Sequence, residues 1–314
     1  MFSVIIPVYN GAKFIDNAIQ SVFSQTFTDW ELIIVDDGSK DETLSVLEKY
    51  KDNDKISIIS QPNQGVSVAR NNGVKSAKGE HIAFLDADDL WHNDHLWVMA
   101  DLVSKYPDAG LYGTFTRTEL VNGGLITECD FFRGKEEEVY TKDFFAEYHK
   151  DKSAKMFTVI TTCVSKEAFD KAGGFPAGCK IGEDLELSLV IAAYYPVVLS
   201  PKATATYKKE NSTATRTKSF DADWGFFDRV EVLYKDEAIS ADKKENIKKV
   251  MDWFAMRRCR HYLIDGQRKK ALAVHRNMNK KTISKKDLAV NTLLLWLPGC
   301  VVRKIFEVRW RGKA

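Results

Sequence analysis

The sequence predicts an α/β protein: a mostly parallel sheet flanked by helices, followed by a helical C-terminal extension. Three observations carry this. Apolar runs of strand length alternate with helix-period segments over the first hundred residues. Three of those runs end in polar, acid-rich clusters, the place where open parallel sheets bind ligands. Beyond about residue 220 only helical periodicity remains, and the charge balance reverses.

The elements follow in order. "SVIIPV" (3–8) reads as a strand, and "GAKFIDNAIQSVFSQ" (11–25) has apolar positions at helical spacing. "ELIIVD" (31–36) is a near-continuous apolar strand, followed by a helix over about 42–50. "ISIIS" (56–60), a small-residue helix at 65–77 and "HIAFLD" (81–86) complete the series. Strands apolar on both sides belong to a sheet covered on both faces. Further on, "AGLYGTFTRTELV" and "KMFTVITTCVS" read as strands around an acidic stretch at 128–152. A helix from Asp184 to about Tyr194 leads to a strand near "VVLSP", and Pro298 interrupts the last helix.

At 314 residues the chain can bury one large core, or one core and a smaller unit. The expected division is a catalytic unit at 1–215, with halves at 1–105 and 106–215, and an extension at 216–314. Five scattered cysteines without a CxxC pair argue against a zinc site or a disulfide framework and suggest reduced thiols in a cytosolic setting. The start, "MFSVIIPVYN", does not read as a secretory signal. The net charge of +2 hides a polarity: residues 243–314 hold 20 Lys+Arg against 5 Asp+Glu, the preceding residues 26 against 39. Such a basic tail points to an anionic partner, or else to solvated helix faces docked on an acidic unit.

The polar clusters are "PVYNG" (7–11), "DDGS" (36–39) and "DADD" (86–89). Asp86, Asp88 and Asp89 crowd three carboxylates into four positions, which suits a hard divalent cation. The same acids could instead start a helix running through "NDHLWVMADLVSKY". No GxGxxG follows the first strand and no GxxxxGK[ST] occurs, so neither a dinucleotide fingerprint nor a P-loop is supported. An acid-rich rim needs a metal to hold a diphosphate. Asp36 and Asp37 suit the donors of a nucleobase or ribose, Tyr9 suits stacking, and Arg70 either offers charge to phosphates or is a helix-surface arginine. In "GGFPAGCKIGEDLELSLVIA" (173–192), Gly173 and Gly174 suit a helix stop, and Glu183 and Asp184 stand at a helix start, where one carboxylate could deprotonate a hydroxyl nucleophile. Trp91, His92 and His95 lie just beyond the acid cluster, either touching ligand or belonging to core and rim.

Together, "VIIPVYNGAKFIDNAIQSVFSQTFTDWELIIVDDGSKDET", "NQGVSVARNNGVKSAKGEHIAFLDADD" and "GGFPAGCKIGEDLELS" resemble the family-2 glycosyltransferases, inverting, nucleotide-sugar-dependent enzymes of GT-A fold. The resemblance covers roughly residues 1–205. It implies that Pro7, Tyr9 and Asp37 line a uridine pocket and that Arg70 faces the diphosphate. Asp86 and Asp88 match the DxD motif, with Asp88 the direct ligand of Mn²⁺ or Mg²⁺ and Asp86 nearer ribose or metal. Asp184 matches the catalytic base of the ED motif, with Glu183 its neighbour. Where many relatives carry a histidine, this chain reads "YKKENSTATR" (207–216), leaving Lys208, Lys209 or Arg216 to reach a phosphate.

The expected function is therefore inverting transfer from a UDP-sugar to a hydroxyl of a glycan or lipid-linked oligosaccharide. Two rivals are a nucleotidyltransferase, for which "PVYNGAKF" is a poor phosphate loop, and a silent nucleotide-binding scaffold, which would have lost a DxD or ED acid. The tail's Trp296 and Trp310 with Arg303, Lys304, Arg309 and Arg311 fit an interfacial helix pair on an anionic membrane, or helices packed back on the catalytic unit. The apolar stretch that opens 288–313 is too short to span a bilayer, and Pro298 breaks it. Nucleic acid is not expected, because no recognition motif accompanies the charge. This places the chain in the cytoplasm, at the inner face of the cytoplasmic membrane.

Overall fold

The protein is described by a computed structural model covering residues 1–119, 124–126, 136–151, 158–179, 182–208 and 226–311. Its strands are β1 (Phe2–Val8), β2 (Trp30–Asp36), β3 (Ile56–Ser60), β4 (His81–Phe84), β5 (Leu90–Trp91), β6 (Leu111–Glu119), β7 (Leu125–Ile126), β8 (Val139–Thr141), β9 (Thr162–Ser165) and β10 (Val197–Lys208). They form one sheet in the order β3-β2-β1-β4-β9-β6-β10-β5, with β7 on β6 and β8 on β10.

The first four strands are parallel, so the ends of β1, β2 and β4 share one edge. That edge is the rim on which the sequence placed its polar clusters. The remainder is mixed. Strand β9 lies antiparallel between β4 and β6, while β6 and β10 are again parallel. The parallel half has the uniform burial expected of strands covered on both faces: every residue of β1, and all of β2 except Glu31, is buried. Pro7 can sit in this central strand because β4 stops alongside Ile5, so no neighbour on that side needs its missing N–H.

Helices Ile15–Phe23 and Val66–Ser76 cover the parallel half; the first buries Ile15, Ala18, Ile19 and Val22. The acid loop after β4 does not cap a helix. A two-residue strand, β5, intervenes, and the next helix begins only at His95. Gly173, in the left-handed region at φ 75°, ends helix Lys166–Ala172, and Glu183–Tyr194 follows.

The extension contributes helices Phe226–Leu233, Ala241–Ile264, Arg268–Asn277, Lys285–Trp296 and Gly299–Arg311, with Pro298 separating the last two. Helix Ala241–Ile264 serves two cores. Its first half gives Ile247, Val250, Met251 and Phe254 to the main core, where Phe254 stacks on Tyr148 at 5.9 Å. Its second half packs Cys259, Tyr262 and Leu263 with Ala271, Met278, Leu294, Leu295 and Val302 in a separate cluster.

Candidate active site

The nucleotide side of the rim is a braced pair of loops. Asn10 takes φ 51°, the one non-glycine residue with positive φ among the described residues, and its side chain accepts from the Lys40 N–H at 2.7 Å. The N–H groups of Asn10, Gly11 and Ala12 donate to Ser39 Oγ, Thr43 Oγ1 and Asp41 Oδ2. The loop after β1 is thus laced to the loop after β2. Tyr9 stands on it, half exposed. Asp36 and Asp37 are buried behind it. Asp37 accepts from Gln61 Nε2 at 2.7 Å and from the N–H groups of Gln64 and Gly65 at 2.9 and 2.8 Å, and so fastens the turn that leads into the helix carrying Arg70.

Arg70 is no surface arginine: it is 2% exposed. One terminal nitrogen donates to Asp86 Oδ1 at 2.7 Å and the other to Glu183 Oε1 at 2.8 Å, while the guanidinium carbon lies 5.2 Å from the centre of the Phe175 ring. Burial works to lower its pKa, but the Asp86 and Glu183 charges outweigh that and hold it above the ordinary arginine value. The next residue makes a second bridge. Asn71 donates to the Phe175 carbonyl at 2.9 Å and accepts from the Phe175 N–H at 2.8 Å. Adjacent residues of one helix therefore join the two acid motifs and fasten the loop at 173–175.

The three carboxylates of "DADD" have different fates. Asp86 pairs with Arg70. Asp89 turns inward at 2% exposure and accepts from the Lys208 N–H at 3.0 Å, fixing the end of β10. Burial, then the Asp86 and Asp88 charges, push its pKa up to about 8. Asp88 is half-buried, and burial followed by Asp86 pushes it up to about 6. Among the described residues no group of three His, Cys, Asp or Glu side chains is arranged to hold a metal by itself. Asp86 and Asp88 do fit the alternative pattern, in which one or two carboxylates share an ion with substrate phosphates. Their crowding also favours a cation.

Opposite, Asp184 opens helix Glu183–Tyr194, its Oδ1 accepting from the Leu185 N–H at 2.7 Å. It lines a small, mostly apolar cavity with Phe84, Val159, Thr162, Phe175 and Leu187. Burial, then Glu183, push its pKa up to about 6 against the pull of Arg70. A carboxylate in such surroundings is suited to take a proton near neutrality.

Direct contacts thus bring together Arg70, Asp86 and Glu183, with Asp184 beside them. Pro7, Tyr9 and Asp37 lie at the ends of β1 and β2 on the same rim. Trp91, His92 and His95 serve the core. His95 is fully buried, stacks on Trp91 at 4.1 Å and bonds through Nδ1 to Thr204 Oγ1 at 2.7 Å; burial, then His92, push its pKa down to about 3. His92 bonds to Ala203 O and Thr206 Oγ1. Lys208 ends β10, whereas Lys209 and Arg216 lie outside the described residues. Sequence reasoning missed Asn71, whose only signal was its place beside Arg70, and the inward role of Asp89.

The sheet, with acid motifs after β4 and at the start of Glu183–Tyr194, defines a protein of GT-A fold. The profile described as Glycosyl transferase family 2 matches residues 3–171, and the chain belongs to that family. It is 42% identical over 98 residues to the putative teichuronic acid biosynthesis glycosyltransferase TuaG of Bacillus subtilis (31% of this chain, 39% of the relative). It is 33% identical over 126 residues to the UDP-Glc:alpha-D-GlcNAc-diphosphoundecaprenol beta-1,3-glucosyltransferase WfgD of Escherichia coli (40% and 49%). The chain thus spans less than half the length of either relative. Its fold is that of S. aureus TarS 1-349, solved in complex with UDP-GlcNAc, at a TM-score of 0.74 and 20% identity over 99% of this chain and 92% of that one.

Proposed function

We propose that the protein is an inverting, metal-dependent glycosyltransferase. It would move a sugar from a UDP-sugar to a hydroxyl of a glycan or lipid-linked oligosaccharide in cell-surface polysaccharide synthesis. The observation that carries the reading is the Arg70 bridge, which joins the DxD acid Asp86 to the ED acid Glu183 at 2.7 and 2.8 Å. It brings the two motifs together, and Asp184, whose pKa burial raises, follows Glu183 directly in the chain, which supports a role as the base.

In this reading residues 1–105 form the nucleotide half, 106–215 the acceptor half and 216–314 the extension. Pro7, Tyr9 and Asp37 would receive the uridine, Arg70 would face the diphosphate, and Asp86 and Asp88 would hold Mn²⁺ or Mg²⁺. A bound ion would supply positive charge to the departing diphosphate. Asp184 takes the proton of the acceptor hydroxyl as its oxygen bonds to the anomeric carbon, and the bond from that carbon to the phosphate oxygen breaks on the opposite face, releasing UDP. Glu183, held by Arg70, keeps its place beside the base. A single displacement turns an α-linked donor into a β-linked product. WfgD is named for an acceptor on diphosphoundecaprenol. A membrane-held acceptor of that kind would place this chain at the inner face of the cytoplasmic membrane.

The test is calorimetric titration of nucleotide sugars with Mn²⁺ and then with chelator, on the wild type and on Asp88→Asn. Metal-dependent binding of a UDP-sugar, lost in the variant, supports the reading. Binding indifferent to both metal and substitution refutes it.

A further inference from the structure

Helix Lys285–Trp296 is apolar on two faces. One face buries Leu294 and Leu295 in the second core cluster, and Asn291 is buried on the same side. The other carries Val290, Leu293 and Trp296, which are 38%, 61% and 78% exposed. Their spacing of three is that of one helical stripe. Beyond Pro298, Val301 and Ile305, four residues apart on the next helix, are 38% and 43% exposed, while Val302 beside them is fully buried. Single exposed apolar residues are ordinary, but two consecutive helices that each leave an apolar stripe uncovered are not.

The corner between these helices is held in place. Arg268 donates to the carbonyl oxygens of Leu297, at 3.3 Å, and of Leu295. Arg303 donates to the Ile264 carbonyl at 3.2 Å. The charge around the corner is of one sign. Residues 266–305 contain ten Lys+Arg and one acid, Asp287. Asp287 is already taken up: it pairs with Arg260 at 3.2 Å and accepts from Ser284. Lys285, Lys286, Arg303 and Lys304 are exposed.

We propose that this corner is a docking surface for an anionic lipid bilayer. Leu293 and Trp296 enter the boundary between headgroups and acyl chains, and Arg303 and Lys304 meet lipid phosphates. Apolar insertion and cationic attraction are the two contributions that together make monotopic binding stable. The chemistry disfavours the other occupants. A second copy would set cations against cations across a symmetric contact. A nucleic acid would use the cations but leave the Leu293–Trp296 stripe in water. No helix among the described residues is long and apolar enough to cross a membrane. Arg309, Trp310 and Arg311 complete the basic end of the sequence, but their side chains fall outside the described residues.

The proposal deepens the membrane placement above and rests on that reading only for the identity of the acceptor; vesicle binding and donor binding are separate measurements. Flotation of the full chain with phosphatidylglycerol or phosphatidylcholine vesicles tests it, alongside sedimentation velocity without lipid. The expected result is binding to phosphatidylglycerol that weakens with salt. Leu293→Ser/Trp296→Ser and Arg303→Glu/Lys304→Glu should each weaken it by at least about tenfold, with UDP-sugar binding unchanged as the sign of an intact fold. Wild-type protein that ignores anionic vesicles overturns the proposal. So do variants that bind as the wild type, or a dimer that Leu293→Ser/Trp296→Ser dissociates. Vesicle binding without any nucleotide-sugar binding would leave the surface standing and sink the transferase reading instead.

Discussion

Arg229 Nε lies 3.5 Å from Glu186 Oε1, and this pair joins the helical extension to the helix that carries Asp184. Glu186 is 1% exposed, within the first turn of Glu183–Tyr194. Arg229 also donates to the carbonyl oxygens of Gly174, at 2.9 Å, and of Ala172. At the far end of the same helix, Tyr194 donates to Asp236 at 2.5 Å, and Lys243 Nζ donates to the carbonyls of Ala192 and Ala193 at 3.1 and 3.0 Å. Residues beyond 226 therefore hold the candidate base's helix at both ends.

Arg229→Ala leaves a deeply buried carboxylate without its arginine and should cost roughly 3 kcal/mol. Urea unfolding measures this. Adding Glu186→Gln should recover part of the loss, because a neutral amide is cheaper to bury than a carboxylate that has lost its arginine. A double variant as unstable as the sum of the two single ones would show that the pair is not coupled.

Arg70→Lys keeps the charge but loses the fork, and one ammonium cannot reproduce two separate guanidinium bonds to Asp86 and Glu183. Transfer should fall by roughly 10²-fold, the scale expected when positioning is lost by about an ångström. Arg70→Ala should fall further and also destabilise the fold by about 3–5 kcal/mol, since its partners remain as uncompensated acids. Steady-state rates and denaturant unfolding of both variants check this. Full activity in Arg70→Lys would rule out the bridge as a positioning device.

Gly174 has φ +69°, and a Cβ there would stand 2.8 Å from Asn71 Oδ1. Gly174→Ala thus combines backbone strain with pressure on the Asn71–Phe175 clamp, at a cost of about 1–3 kcal/mol. Thermal unfolding should register it. Gly178→Ala is the control: it has φ +76° but no atom within 4 Å of its Cβ, so only the backbone part of the cost should appear.

The parallel half was legible because its signals are local. Two-sided apolar strands, the strand at 56–60 and the stop at Gly173 all follow from neighbours in sequence. What stayed hidden depends on distant partners. Arg70 and Glu183 are 113 positions apart, and no spacing rule foretells their contact. Nor does periodicity separate Asp89 from Asp86 and Asp88, since an irregular loop, rather than a helix or strand, decides which carboxylate turns inward. The strand β9 was read within "KMFTVITTCVS", but its antiparallel direction was not, because an apolar strand reads the same in either direction. Helix Lys285–Trp296 presents a related difficulty: with apolar residues on opposite faces its pattern nearly cancels, so only the packed structure shows which face is covered.

The acid limb of the pH–rate profile tests Asp184 most directly. Its pKa lies above the ordinary carboxylate value, at about 6, with burial the larger cause and Glu183 the second. A general base must be ionised, so kcat/KM should be constant well above that pH and fall tenfold per unit below it. The apparent value belongs to the Glu183–Asp184 pair rather than to one oxygen. Arg70 pulls this value down, so Arg70→Ala should move the acid limb to higher pH, and Arg70→Lys should move it less. Stability carries the opposite sign. Because the folded pKa is raised above the unfolded one, the folded state binds the extra proton, and stability declines as pH rises from about 4 towards about 6. Asp184→Asn should remove that decline and raise Tm at neutral pH, while lowering transfer by roughly 10²–10⁴-fold. An acid limb that stays in place in Arg70→Ala would show that some other group is the base.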